Sequence, residues 1–122
     1  MGKKILVVDD DATCLKIVTL VLKKGDYEPL QASNALDAVS IANADQPDLI
    51  LMDVLMPGVN GLETVRLLKK NPLTKHIKIV AMSMLESSGI REKLLAAGCD
   101  GYISKPISNS KDLLAAIKSF LA

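Results

Sequence analysis

Acidic, hydroxyl and amine side chains stand directly after strand-like apolar runs in this sequence. Asp9 and Asp10 follow "KILVV", Asp53 ends "LILMD", Ser83 ends "IKIVAMS", and Lys105 follows "DGYIS". Carboxylates bind hard divalent cations, and a carboxylate can also act as a nucleophile that forms an acyl phosphate. A hydroxyl and an amine beside it would stabilise charge on phosphoryl oxygens. These residue types therefore point to phosphoryl transfer, provided that the fold brings them together.

Asp53 has the least ordinary surroundings of these residues. In "LILMDVLMP", residues 49–57, four apolar residues precede it and three more separate it from a proline. A lone carboxylate is costly to bury among apolar side chains, so neighbouring groups have to offset its charge. Asp11, in contrast, is expected to cap a helix or lie in solvent, and not to serve as a further metal ligand.

Strand-length apolar runs alternate with segments of helical periodicity along the whole chain. The predicted strands are 4–8, 28–32, 48–53, 77–83 and 100–104, and the last two predicted helices are 87–97 and 109–121. Five strand–helix units without a linker predict one α/β domain over 1–122, with helices on both faces of a doubly wound, flavodoxin-like parallel sheet. Apolar residues run continuously through the strands, which is typical of a sheet buried on both faces.

In such a sheet the strand ends that carry the polar residues share the carboxyl edge. Open α/β sheets bind ligands at that edge, where the strand order reverses. If the order is 2-1-3-4-5, strands one and three are neighbours about 4.8 Å apart, and Asp10 meets Asp53 across the crevice. Three carboxylates would repel one another, and Mg²⁺ would resolve the conflict because it prefers carboxylate, water and phosphate oxygens. Mg²⁺ and Lys105 together would balance the three negative charges.

Composition narrows the class of protein. The chain has 122 residues, with 15 basic and 14 acidic side chains and a formal net charge of +1. This balance argues against a dedicated nucleic-acid binder, which usually carries a basic patch. No apolar segment reaches the length of a membrane span, and the start "MGKKILVVDD" lacks signal-peptide architecture. We therefore expect a cytoplasmic protein that binds neither nucleic acid nor membrane.

Cysteine and histidine usage argues against other site chemistries. Cys14 and Cys99 are far apart and lack a CxxC or metal-type spacing, so they are predicted to be buried thiols in a reducing compartment. His76 is the single histidine, which excludes a histidine-based metal cluster and argues against a Ser-His-Asp triad. It is predicted to lie in an exposed loop.

The segments "VVDDD", "LILMDVLMPGVNG", "IVAMS" and "GCDGYISKPI" occur in this order and at suitable spacing. With them, essentially the whole chain resembles a bacterial response-regulator receiver domain of the stand-alone, chemotaxis-regulator type. The resemblance implies that Asp53 is the phosphoacceptor. It also implies that Asp10 is a direct Mg²⁺ ligand, that Asp9 mainly holds metal-bound waters, and that the backbone carbonyl of Leu55 completes the metal site.

The same resemblance assigns the remaining site residues and the partners. Ser83 matches the switch hydroxyl, Lys105 the lysine that contacts the phosphoryl group, and Tyr102 the aromatic residue that moves inward when the hydroxyl engages phosphate. Pro106 implies a cis Lys105–Pro106 peptide bond. The phosphoryl group would come from a histidine kinase or a histidine phosphotransfer protein. The output surface would consist of the fourth helix, the fifth strand and the fifth helix.

Each assignment has an ordinary alternative. Asp9 and Asp10 could merely favour a helix start, Ser83 could be a polar strand end, and Tyr102 could be a packed strand aromatic. At the level of function, the alternative is a pseudo-receiver that binds partners without phosphorylation. A phosphatase of the haloacid dehalogenase type would need an acid at Leu55, and a nucleotide binder would need a phosphate loop where "DDD" stands.

The position of the predicted fifth helix argues against a DNA-binding output within this chain. The fifth helix occupies the C-terminus and leaves no room for a helix-turn-helix. Five complete units and a starting methionine favour a stand-alone regulator.

Overall fold

The computed structural model describes residues 2–53, 61–83, 90–104 and 110–121, and the side chains of all of these except Ser83, Ile90, Arg91 and Ser104. Its strands are β1 (Lys4–Val8), β2 (Glu28–Ala32), β3 (Leu49–Asp53), β4 (Lys78–Ser83) and β5 (Gly101–Ser104). They alternate with the helices α1 (Ala12–Lys24), α2 (Ala35–Asp45), α3 (Gly61–Lys70), α4 (Ile90–Ala97) and α5 (Ser110–Leu121).

All strand pairs are parallel, and the strand order is β2-β1-β3-β4-β5. The predicted doubly wound α/β fold is therefore confirmed. Three strands begin one residue later than the sequence predicts. For β4 the reason is local, because the amide of Ile77 donates a hydrogen bond to Thr74 O at 3.0 Å and so closes the preceding turn. The predicted helix starts at 87 and 109 lie outside the described residues.

Two apolar layers cover the sheet, one on each face. In β1, Leu6 and Val8 contribute to the layer against α2, α3 and α4, whereas Ile5 and Val7 contribute to the layer against α1 and α5. Successive strand residues point to opposite faces, so a sheet with helices on both faces needs apolar residues at every position. This requirement explains why the strands read as continuous hydrophobic runs.

The strand β2 forms one edge of the sheet, and Pro29 lies in it. Glu28 N donates to Lys3 O at 2.9 Å, and Ala32 O accepts from Asp9 N at 3.1 Å, so the backbone groups of these even-numbered positions face β1. Pro29 consequently faces away from β1, where its missing N–H leaves no ladder bond unmade.

The predicted burial of Cys99 and the predicted exposure of His76 are confirmed, whereas the predicted burial of Cys14 is wrong. Cys99 is buried, but Cys14 on α1 is only half-buried. Cys14 stands in the first turn of its helix and packs only partly against the layer in which Val18 and Leu22 are buried. His76 is exposed in the turn that precedes β4.

Candidate functional site

Neighbouring strands bring three acidic residues to the carboxyl edge of the sheet. In the register of β1 and β3, Val8 lies beside Met52, so Asp9 and Asp53 leave the ladder side by side. One carboxylate oxygen from each of Asp9, Asp10 and Asp53 lies within 4.8 Å of the others. We call these three residues the acidic cluster. The juxtaposition of Asp10 and Asp53 that the strand order predicts is therefore present in the structure.

Asp9 is the most constrained member of the acidic cluster. Its residue is completely buried. Its amide donates to Ala32 O at 3.1 Å, which ties the end of β1 to the end of β2, and its Oδ1 accepts a hydrogen bond from Asp11 N at 3.0 Å. The sequence indicates that Asp9 belongs to the site, but it does not indicate the hydrogen bond to Ala32, because Ala32 belongs to a different strand. The backbone therefore fixes the orientation of the Asp9 carboxylate.

Asp53 and Asp10 differ in their access to solvent. Asp53 ends β3, which is buried at every residue, and it retains an exposed fraction of 8%. Asp10 is exposed. The acidic cluster thus combines two buried carboxylates with one exposed carboxylate.

Asp11 takes no part in the acidic cluster, as the sequence predicts. It is the N-cap of α1, and its Oδ1 accepts hydrogen bonds from Thr13 N at 2.9 Å and from Cys14 N at 3.4 Å. An aspartate at this position satisfies amides that the first helical turn leaves without intrahelical partners. The run "DDD" therefore contains two residues of the site and one helix cap.

The electrostatics of the acidic cluster favour a bound cation. Two like charges about 4 Å apart repel by about 4 kcal/mol at the effective dielectric constant typical near a protein surface. The donor set consists only of carboxylate oxygens, which Mg²⁺ and Ca²⁺ prefer over nitrogen or sulfur ligands. The two buried carboxylates of Asp9 and Asp53 restrict the geometry, whereas Asp10 is exposed to solvent. Across the described ranges, no second group of three such ligands occurs.

The other predicted site residues are only partly described. Ser83 ends β4, one residue beyond Met82, which pairs with Asp53, so its backbone lies at the same edge of the sheet. Tyr102 lies in β5 opposite Ala81 and is half-buried against the layer that contains α4. Leu55, Lys105 and Pro106 lie outside the described residues, so their predicted roles stay predictions.

Comparison with known proteins identifies the class to which this fold and acidic cluster belong. The family model for the response regulator receiver domain matches residues 5–118. The chain belongs to the response regulator receiver domain family. Receiver domains are signalling modules of two-component systems that act between a kinase and downstream proteins, and they generally bind Mg²⁺ at an acidic pocket.

Individual relatives agree with this assignment. The chain is 36% identical over 121 residues to the polar-differentiation response regulator DivK of Brucella anthropi, covering 99% of this chain and 98% of the relative. Its structure resembles the chemotaxis response regulator CheY4 of Vibrio cholerae with a TM-score of 0.91, 27% identity, and coverage of 99% and 100% of the two chains. A CheY-like receiver domain protein of Methanospirillum hungatei gives a TM-score of 0.91 and 31% identity, with coverage of 99% and 94%.

The described helices are short. The longest of them, α1, has 13 residues, and none in the described part of the chain is long and apolar enough to cross a membrane.

Proposed function

We propose that this receiver domain accepts a phosphoryl group on Asp53 in a Mg²⁺-dependent reaction and thereby switches a protein-binding surface. The observation that carries the proposal is the acidic cluster, in which the nearly buried Asp53 lies with Asp9 and Asp10 at the carboxyl edge of β1 and β3. The proximity of three carboxylates favours a bound cation, and the same cation would hold a phosphoryl donor.

The three acids would hold Mg²⁺ in different ways. Asp10 and Asp53 would be direct ligands, with the backbone carbonyl of Leu55 as a third. Asp9 would hold metal-bound waters, which agrees with the hydrogen bond from Asp11 N that already engages one of its oxygens. Bound Mg²⁺ would supply the positive charge that offsets the carboxylates and the phosphoryl oxygens.

The chemical step uses the Asp53 carboxylate as nucleophile. One carboxylate oxygen forms a bond to phosphorus while the bond from phosphorus to the donor's histidine nitrogen, or to the oxygen of a small acyl phosphate, breaks. The electron pair of that bond leaves with the donor. Attack of water on phosphorus later restores the carboxylate, so the domain promotes only its own phosphorylation and dephosphorylation.

Ser83, Lys105 and Tyr102 would connect the chemical step to the output. Lys105 and the Ser83 hydroxyl would donate hydrogen bonds to phosphoryl oxygens, where positioned positive charge lowers the barrier. Tyr102 would move inward as Ser83 engages the phosphoryl group. The switched surface would be α4, β5 and α5, with a downstream protein as its target. The phosphoryl donor would be a histidine kinase or histidine phosphotransfer protein, and the domain would extend over 1–122 and work in the cytoplasm.

The test is labelling of the intact protein. We expect incubation with Mg²⁺ and acetyl phosphate to give one phosphoryl adduct in the intact mass, and EDTA to prevent it. Asp53→Asn should abolish the adduct because an amide is a poor nucleophile. Asp11→Asn is the matched control, since it changes a neighbouring acid outside the acidic cluster and retains a good cap.

The pseudo-receiver alternative makes the opposite prediction for the same experiment. A wild-type protein that stays unlabelled by acetyl phosphate and by a purified histidine kinase, while Mg²⁺ still binds, would contradict phosphorylation and favour a binding module. The described part of the site favours phosphorylation, because a module that only binds protein partners has no need for a cluster of carboxylates.

A further inference from the structure

A second polar network lies at the amino edge of the sheet, opposite the acidic cluster. Lys69 is the penultimate residue of α3. Its Nζ donates hydrogen bonds to Ile77 O at 2.8 Å, to Asp100 Oδ2 at 2.9 Å and to Lys75 O at 3.3 Å. An ammonium carries three hydrogens, so these acceptors engage all of them. The Lys69 side chain is only 18% exposed, which distinguishes this ion pair from ordinary surface pairs.

Asp100 extends the network to two strands. Its Oδ2 also accepts from Ile79 N at 2.9 Å, and its own amide donates to Ile79 O at 2.8 Å. Ile79 lies near the start of β4, and Asp100 directly precedes β5. A single carboxylate therefore joins the starts of both strands to the end of α3 through Lys69.

The end of α4 is held at the same place. The helix closes with hydrogen bonds from Gly98 N to Leu95 O at 3.1 Å and from Cys99 N to Leu94 O at 3.0 Å. Gly98 has φ +114°, and a β-carbon there would lie 2.9 Å from Lys69 Cγ. The glycine thus permits both the left-handed turn and the close passage of the Lys69 stem. We call Lys69, Asp100, Ile79, Gly98 and Cys99 the Lys69 anchor.

We propose that the Lys69 anchor is a fixed pivot for α4 when the phosphoryl-acceptor site switches. The helix α4 follows β4, which ends at the carboxyl edge, and the end of α4 leads through Gly98 and Cys99 to the anchor at the amino edge. A displacement at the start of a helix becomes a rotation if the other end is held. If the other end is free, the helix slides and the disturbance spreads into the starts of β4 and β5. This inference rests on the proposed function.

Residue-resolved amide hydrogen exchange by NMR tests the pivot. The probe is Mg²⁺ with beryllofluoride, which mimics a phosphoryl group on a carboxylate. The variant Lys69→Met removes the ammonium but keeps an unbranched stem, and Lys70→Met is the matched control on the neighbouring, exposed position. Asp100→Asn is a second variant that keeps an acceptor for Ile79 N, and it carries the test if Lys69→Met does not fold.

In the wild type, we expect beryllofluoride to change the amide hydrogen exchange rates of residues 90–94. The exchange rates of the Ile79, Cys99 and Asp100 amides should stay constant within about twofold. In Lys69→Met the same addition should change the exchange rates of those three amides by about tenfold, because the ammonium no longer fixes the Asp100 carboxylate that accepts from Ile79 N. Lys70→Met should behave as the wild type.

The outcomes separate this inference from the proposed function. A wild type that responds in 90–94, together with a Lys69→Met protein whose three anchor amides stay constant, would overturn the pivot and leave the proposed function standing. A wild type whose anchor amides respond as strongly as residues 90–94 would also overturn the pivot. A wild type that shows no response to beryllofluoride at any amide would overturn the proposed function and the pivot together.

Discussion

Asp9 and Asp53 present carboxylate oxygens within 4.8 Å of each other although both residues are buried, Asp9 completely and Asp53 to all but 8%. Two strands that end side by side impose this proximity, and the exposed Asp10 adds a third negative charge. Mutual repulsion in such a place opposes folding, and a bound cation would relieve it. The arrangement therefore links the stability of the fold to metal binding.

The first prediction follows from that link. In EDTA, Asp53→Asn should raise the free energy of unfolding by about 2 kcal/mol, because one of three repelling charges is removed. Mg²⁺ at 100 times its Kd should stabilise the wild type by about 2.7 kcal/mol and stabilise Asp53→Asn much less. Thermal unfolding with and without Mg²⁺ measures both effects. Asp11→Asn should respond to Mg²⁺ as the wild type does, and an equal Mg²⁺ effect in Asp53→Asn would contradict the cluster as the binding site.

A second prediction concerns alkaline pH. Burial raises the pKa of the Cys99 thiol from 9.0 to about 11; a backbone hydrogen bond with Ala81 lowers it, nearby Asp100 raises it, and Lys69 lowers it. The unfolded thiol ionises first as the pH rises, so the unfolded state then binds fewer protons than the folded state. Folding stability should consequently fall between about pH 9 and pH 11, by about 3 kcal/mol in total.

The variant Cys99→Ala isolates this effect, because alanine fills the same buried place without a titrating group. Urea unfolding from pH 8 to pH 11 should show a steeper decline for the wild type than for Cys99→Ala. Parallel curves for the two proteins would show that Cys99 contributes nothing to the pH dependence.

A third prediction concerns the contact between β5 and α5. A β-carbon at Gly101 would lie 2.2 Å from the ring of Phe120, which is far inside van der Waals contact. Gly101→Ala should therefore destabilise the protein by about 1–3 kcal/mol through overpacking. Adding Phe120→Leu should recover part of the loss, since a smaller side chain makes room. Denaturant unfolding of the two single variants and the double variant gives the coupling energy, and strict additivity would argue against the contact.

A fourth prediction concerns the open edge of the sheet. Pro29 faces away from β1 in the edge strand β2 and removes one outward N–H that another strand could use. Pro29→Val should restore that donor and increase self-association at high concentration, measured by sedimentation velocity. Pro29→Lys restores the same donor but adds a charge, so it should stay monomeric. If Pro29→Lys associates as strongly as Pro29→Val, the added charge has no protective effect; if neither variant associates, the missing donor of Pro29 does not limit self-association.

The elements and the acidic edge could be predicted from the sequence because their causes are local. Continuous apolar runs between helical segments indicate buried parallel strands, and a polar residue at the end of each run must then lie at the carboxyl edge. Asp11 is recognisable as a helix cap for the same reason, since the amides it accepts from belong to the next turn of the chain. Such signals extend over a few residues and need no knowledge of packing.

Other features were decided only by tertiary structure. Two of them are contacts between separate elements: the hydrogen bond from Asp9 N to Ala32 O and the ion pair between Lys69 and Asp100. A third is the difference in burial between Cys14 and Cys99, which lie on separate elements. Helical periodicity places Lys69, four residues after the buried Val65, nearer the apolar face than Lys70, but it does not indicate the acceptors on other elements. The difference arises because helix packing directs one ammonium towards buried acceptors and leaves the adjacent one in water, and that direction depends on the whole sheet being assembled.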